Sequence, residues 1–256
     1  MTQKSEINQA LFEYCLRLGD SSLILGHKLS EWCGHGPILE EDIALINIAL
    51  DFVGQARVLL AYAGEVEGKG RTEDDLAYTR TEREYRNVLL IEQPNGDYGY
   101  TIARQFLYDV YTYYFYESLK QSKDATLAGI AEKSFKEIIY HLRHSSQWVI
   151  RLGDGTDESK KRIQTAFNDL WMFTGDLFAM DEVDRILIKE GIAVDLNLVK
   201  SKWNKKAKEI LTIATITVPD DAFMQSGSRE GKHTEHLGFL LAEMQSLPRA
   251  YPDAKW

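Results

Sequence analysis

Glu137, His141 and His144 stand three and four residues apart. On a helix that spacing places them on one stripe, with Trp148 one turn further on. Carboxylate and imidazole donors so arranged are raw material for iron, manganese or zinc. The same stripe also reads as a polar face capped by a packed Trp, and spacing alone does not separate the two. The remaining His also come in pairs. His233 and His236 lie near Glu230 and Glu235, beside the flexible-looking segment SGSREG. His27 and His35 flank a Trp-Cys-Gly segment, where local hydrogen bonding is the simpler expectation. Cys15 and Cys33 match no zinc pattern and are too few for a disulfide framework. Nucleophile elbows, phosphate loops and dinucleotide fingerprints are absent from the sequence.

Two further patterns stand out. Asn47, Asp51 and Gln55 recur every four residues on an otherwise apolar helix. Such a stripe must face water or find internal hydrogen bonds; a site in the bundle core is the functional alternative. Residues 98–116 hold nine aromatics, seven of them Tyr. Tyr111, Tyr113, Tyr114 and Tyr116 surround Phe115 and cover most of a helix circumference. Tyr hydroxyls want partners, and aromatic surfaces are favoured at protein interfaces, so this helix is a candidate docking face.

The elements that must position these residues are helices. No proline lies between Asn95 and Val218, which permits long helices. Periodicity predicts helices over Asn8–Glu31 with a break at Gly19-Asp20, Leu39–Glu65, Asp74–Glu92, Tyr98–Lys120, Ala125–Leu152, Asp157–Met180, Leu196–Leu211 and about Lys232–Leu247. The second is apolar on nearly every face, the mark of a helix covered on all sides. The one weak strand candidate is Ile210–Val218. Long helices with short connectors predict an all-α bundle, a single domain over 1–256 whose C-terminal third forms additional helices packed on it.

Composition narrows the function. Acids outnumber bases 39 to 30, for a net charge of -9. No long basic run exists, so a nucleic-acid grip is not expected. Apolar residues make up 44%, enough for a core rather than disorder. No unbroken apolar run approaches about 18 residues and no signal-peptide core opens the chain, so a cytoplasmic protein without a membrane span is expected.

Four segments carry a resemblance: EYCLRLGDSSLILGHKLSEWCGHGPILEEDIALINIALDFVGQAR, EYRNVLLIEQPNGDY, YHLRHSSQWVIRLGDGT and GKHTEHLGFLLAEMQ. They resemble the non-catalytic structural C components of bacterial 1,2-phenylacetyl-CoA epoxidase, a multicomponent oxygenase of aerobic phenylacetate breakdown, and the likeness runs from about Asn8 to Trp256. The resemblance implies a ferritin-like helical bundle. It also implies a related catalytic subunit as partner, holding two irons, with the reductase among the other components. The complex would epoxidise the phenyl ring of phenylacetyl-CoA with O2 and NADPH. The resemblance leaves room for a homodimer in isolation.

Ferritin-like di-iron sites take one carboxylate from each of two helices and an E-x-x-H motif from each of two others. Set against that pattern, Glu31 and Asp109 correspond to the carboxylates. Phe52 and Gln55 fall where one Glu and its His are needed, and Ile138 and His141 on the second pair. Two bridging Glu are thus replaced by hydrocarbon. The resemblance therefore implies a vestigial site at Glu31, Phe52, Gln55, Asp109, Ile138 and His141, with no metal, cofactor or catalytic residue in this chain. Partner contact is expected through Tyr111, Tyr113, Tyr114 and Tyr116 and through the C-terminal segment with His233 and His236. The alternative is an independent ferritin-like oxygenase or oxidase that binds iron or manganese through Glu31, Asp109, Glu137, His141 and His144.

Overall fold

The computed structural model describes residues 3–220, 223–252 and 254, and among them the regular structure is entirely helical. Two long hairpins form the centre. The first joins α1 (Gln3–Ser30) to α2 (Leu39–Glu67), and the second joins α4 (Tyr98–Leu119) to α5 (Ala125–Gly153). Between the hairpins runs the short α3 (Glu73–Tyr78), which packs on α2. After them come α6 (Asp157–Leu170), α7 (Glu182–Glu190) and α8 (Leu196–Ile213), then α9 (Glu235–Met244) and α10 (Ser246–Ala250). Helices α6 and α8 pack on the second hairpin and α7 on α1. This is the all-α, ferritin-like arrangement expected, with the additional helices towards the C-terminus.

Local chemistry sets the helix starts. Asp97, Asp124, Thr156, Asp181 and Asp195 each accept a hydrogen bond from a backbone N–H two or three residues further on, satisfying donors that a helix start leaves free. Asp181 caps the start of α7, and Gly191, in the left-handed region, ends it by donating its N–H back to Ile188 and Leu187; periodicity does not predict this helix.

Helix α1 does not break at Gly19-Asp20. A Cβ on Gly19 would lie 2.7 Å from Leu60, and one on Gly26 2.9 Å from Val53. These glycines let α1 and α2 approach closely. Asp20 is fully buried and ion-paired to Arg80, and it also accepts from the Arg86 backbone N–H at 2.9 Å. A turn signature thus serves helix packing.

Three other expectations are corrected. The helix predicted over Asp74–Glu92 ends at Tyr78. Beyond it lie a 3-10 turn at Glu82–Glu84 and an irregular buried strap. Tertiary partners replace the helical hydrogen bonds there: the backbone N–H of Leu89 donates to Asp176 at 3.0 Å, and that of Val88 to the Ser21 hydroxyl at 3.3 Å. The helix from Asp157 stops at Leu170 and tightens to a 3-10 stretch over Trp171–Phe178. The strand candidate at Ile210–Val218 is instead the end of α8 followed by a turn.

Helix α2 alone is long and apolar enough, among the described residues, to cross a membrane by length and composition. Its polar residues Glu41, Asp51 and Gln55 are hydrogen-bonded to α5, a bundle wall's arrangement rather than a lipid-facing one. Less than half of its most apolar window is buried, however, so the expectation of cover on all sides is not met within this chain.

Candidate functional site

The polar stripe of α5 meets the polar residues of α2 in three separate pairs. Gln55 donates through Nε2 to Glu137 at 2.9 Å. His141 Nε2 lies 2.9 Å from Asp51, and His144 Nε2 lies 2.7 Å from Glu41. The Tyr98 hydroxyl donates to the same Glu41 oxygen at 2.7 Å. Burial alone would raise the Glu41 carboxyl; the Tyr98 and His144 hydrogen bonds and the His144 charge together hold it below its ordinary value. Tyr98 is wedged edge-on between Trp32 and Trp148, with ring centroids 5.9 and 5.2 Å away.

Asp109, from α4, is fully buried beside this ladder. It accepts from Gln105 at 2.6 Å and from Ser145 at 2.7 Å. Burial pushes its carboxyl up to about 7, against the opposing pull of the His141 charge and the two hydrogen bonds. Phe52 fills the space next to it: its ring is fully buried, 5.0 Å from the His141 ring and 6.1 Å from Tyr108. Ile138, one turn before His141, is also fully buried.

Five of the six positions placed by resemblance thus lie on neighbouring turns of α2, α4 and α5. Glu31 does not join them. Its side chain is 48% exposed just beyond α1, where it accepts from Asn95 at 2.8 Å and Lys28 at 3.1 Å. Its assignment as the first carboxylate is corrected: the chain leaves α1 before Glu31 can turn inward. Glu41 and Asp51 are the acids that meet the histidines instead. Asp51 belonged to a legible polar stripe, whereas Glu41 read only as an acid at a helix start. Asn47, the third member of that stripe, faces solvent.

Two irons need several carboxylates that bridge and converge. Here each acid is held by its own separate hydrogen-bond partners, and the side chains of Phe52 and Ile138 are hydrocarbon. No group of three or more His, Cys, Asp or Glu among the described residues is placed to hold a metal ion. The donor set does not fit a di-iron centre. Its polar groups can hold one another in register, and Asp109 can exchange a proton near neutrality.

The expected docking tyrosines divide. Tyr111 and Tyr116 are 5% and 3% exposed. Tyr111 packs on Phe115 at 5.4 Å and Phe178 at 5.9 Å, and Tyr116 on Phe115 at 5.6 Å. They are core side chains, which corrects their assignment to a partner surface; α6, α8 and the 3-10 stretch cover the helix that periodicity left bare. Tyr113 and Tyr114 are half-buried against Phe135 and Lys202. His233 is likewise held inside, with Nδ1 2.9 Å from Glu92 and Nε2 3.0 Å from the Tyr85 carbonyl, which corrects its assignment to a docking surface. His236 is half-buried at the start of α9.

Comparison with known proteins agrees with this architecture. The model of the phenylacetic acid catabolic protein family matches residues 1–256. The chain is 49% identical over 246 residues to the C component of the 1,2-phenylacetyl-CoA epoxidase of Escherichia coli (strain K12), covering 96% of this chain and 99% of that one. By a match that extends over its whole length, the chain belongs to the phenylacetic acid catabolic protein family.

Proposed function

We propose that this chain is the non-catalytic structural subunit of a 1,2-phenylacetyl-CoA epoxidase, binding and stabilising a di-iron subunit that carries the O2- and NADPH-dependent chemistry. The observation that carries the proposal is the filled centre of the bundle. Phe52 and Ile138 occupy it, and the nearby acids are spent on Gln55, His141, His144 and Tyr98. A chain that has kept the helices and spent the ligands works through contact. Its likeness in sequence to an epoxidase subunit supports the identity of that contact's setting.

Co-expression with the catalytic subunit, followed by affinity purification and metal quantification of each separated chain, tests the proposal. The expected result is a stable complex with iron accompanying the catalytic subunit and none bound stoichiometrically by this chain. Tight iron or manganese on this chain alone, with O2-dependent turnover, would overturn it in favour of an independent oxygenase or oxidase.

A further inference from the structure

Tyr98 opens α4 with its ring edge-on between Trp32, just past α1, and Trp148 on α5, the centroids 5.9 and 5.2 Å away. Edge-on rings are a favourable packing by themselves. The hydroxyl adds something packing does not require. It donates to the Glu41 carboxylate at 2.7 Å, and the same oxygen lies 2.7 Å from His144 Nε2. Burial alone would raise the Glu41 carboxyl, yet the hydrogen bonds of Tyr98, His144 and Trp148 and the His144 charge hold it below its ordinary value. The phenol therefore faces an ionised base with which it is already hydrogen-bonded.

Two other sites show half of this arrangement each. Tyr62 also donates to a carboxylate, that of Asp124 at 2.6 Å, but no ring is packed on it among the described residues. Trp203 is packed on Trp171 and Phe178, at 5.4 and 5.5 Å, but its N–H donates to a neutral group, the Leu107 carbonyl, at 2.9 Å. Tyr98 joins the two features. Its ring neighbours can deliver an oxidising equivalent, and its base can take the proton.

The surroundings give the transfer a direction. Trp32 is half-buried, and its indole N–H donates to the neutral Thr101 hydroxyl at 3.1 Å. Once oxidised, it has no carboxylate there to receive its proton, so the positive charge stays on the ring. On the other side, the Arg151 guanidinium lies over the Trp148 ring, 5.3 Å from its centroid. A cation on that face is attracted by an electron-rich ring and opposes a second positive charge in it. Oxidation that starts at Trp32 therefore settles on Tyr98 rather than passing on to Trp148.

We infer that Tyr98 is a one-electron trap, fed through Trp32 and held by Glu41. A one-electron oxidant of the peroxyl-radical or high-valent-metal class takes an electron from Trp32. Tyr98 returns one electron to the Trp32 radical cation. Its O–H bond breaks as it does so, and the proton bonds to the Glu41 carboxylate. The products are neutral tryptophan, a neutral tyrosyl radical and a protonated Glu41. One electron from a reductant of the thiol class sends the proton back and restores phenol and carboxylate. The trap is built from this chain's own residues and does not depend on the identity of a partner.

The test oxidises the full chain with a photogenerated ruthenium(III) polypyridyl complex, read by freeze-quench EPR and transient absorption, with thermal melts of every variant. The wild type is expected to accumulate a neutral tyrosyl radical. Its formation slows in D2O, because the proton moves with the electron. Tyr98→Phe loses most of that signal. So does Glu41→Gln, whose amide oxygen still accepts a hydrogen bond but is too weak a base to take the proton. Trp32→Phe delays its appearance. Tyr62→Phe and Trp203→Phe leave its yield and lifetime unchanged. If folded Tyr98→Phe keeps the wild-type signal, the radical sits elsewhere and the inference is overturned. If Glu41→Gln keeps it, or the wild type shows no D2O effect, Glu41 is not the proton acceptor and the inference fails as well. The isotope measurement needs no substitution, so it stands even where a variant fails to fold.

Discussion

The ring of Phe52 occupies the centre of the bundle against His141, and that one side chain decides much of the local chemistry. Replacing it by Glu puts a carboxylate among Tyr108, His141 and hydrocarbon. Phe52→Glu is expected to lose several kcal/mol of stability, on the order of 3 or more, in chemical denaturation. The double variant F52E/Q55H is not expected to gain stoichiometric iron, because Ile138 still offers no oxygen and Asp51 already holds His141. Asp109 supplies a different test. Burial raises its carboxyl to about 7, so the folded chain holds a proton there that the unfolded chain releases in the ordinary carboxylate range. Stability linked to this group is therefore fully present at acid pH and declines as pH rises towards about 7. Asp109→Asn removes that decline. The stability of the variant relative to wild type, followed by denaturation from about pH 5 to pH 8, is expected to rise up to about pH 7 and then level off. A flat difference would place Asp109 in a more polar setting than the one described.

At the scale of elements, two ties hold irregular chain onto the hairpins. Arg80, on the strap after α3, pairs with Asp20 inside α1. Arg80→Met would leave the buried Asp20 carboxylate without its counter-charge, with only the Arg86 backbone N–H, at a cost of about 3 to 5 kcal/mol in equilibrium unfolding. The second tie is His233, just before α9. Burial alone would lower its pKa, but the hydrogen bond and charge of Glu92, the Tyr85 carbonyl and the charge of Asp20 raise it overall. A base whose pKa is raised on folding stabilises fully below its ordinary value, and that stabilisation is lost as pH rises through the raised value. Amide exchange of α9 is expected to quicken, beyond its intrinsic pH dependence, as pH rises above the usual imidazole range. His233→Gln, which keeps hydrogen bonding without the charge, should remove that extra step.

For the whole molecule, the sequence by itself determined the all-α class and the approximate limits of the long helices α2, α4, α5 and α8. Helix periodicity and the caps at Asp97, Asp124 and Thr156 are local properties, and local hydrogen bonds are satisfied in the same way whatever the surroundings. The hydrocarbon at Phe52 and Ile138 is equally legible, since no packing can turn it into a ligand. Tertiary structure decided what depends on neighbours distant in sequence. Gly19-Asp20 reads as a turn until Leu60 and Arg80 are in place. Glu31 reads as a ligand until the end of α1 sends it outward. Tyr111 and Tyr116 read as surface because periodicity shows how many faces of a helix are apolar but not which are covered. The chain buries the aromatic helix α4 under α6 and α8 and leaves the aliphatic helix α2 half open. Burial is a property of the assembled packing, and a pattern along one helix carries no record of what arrives from elsewhere to cover it.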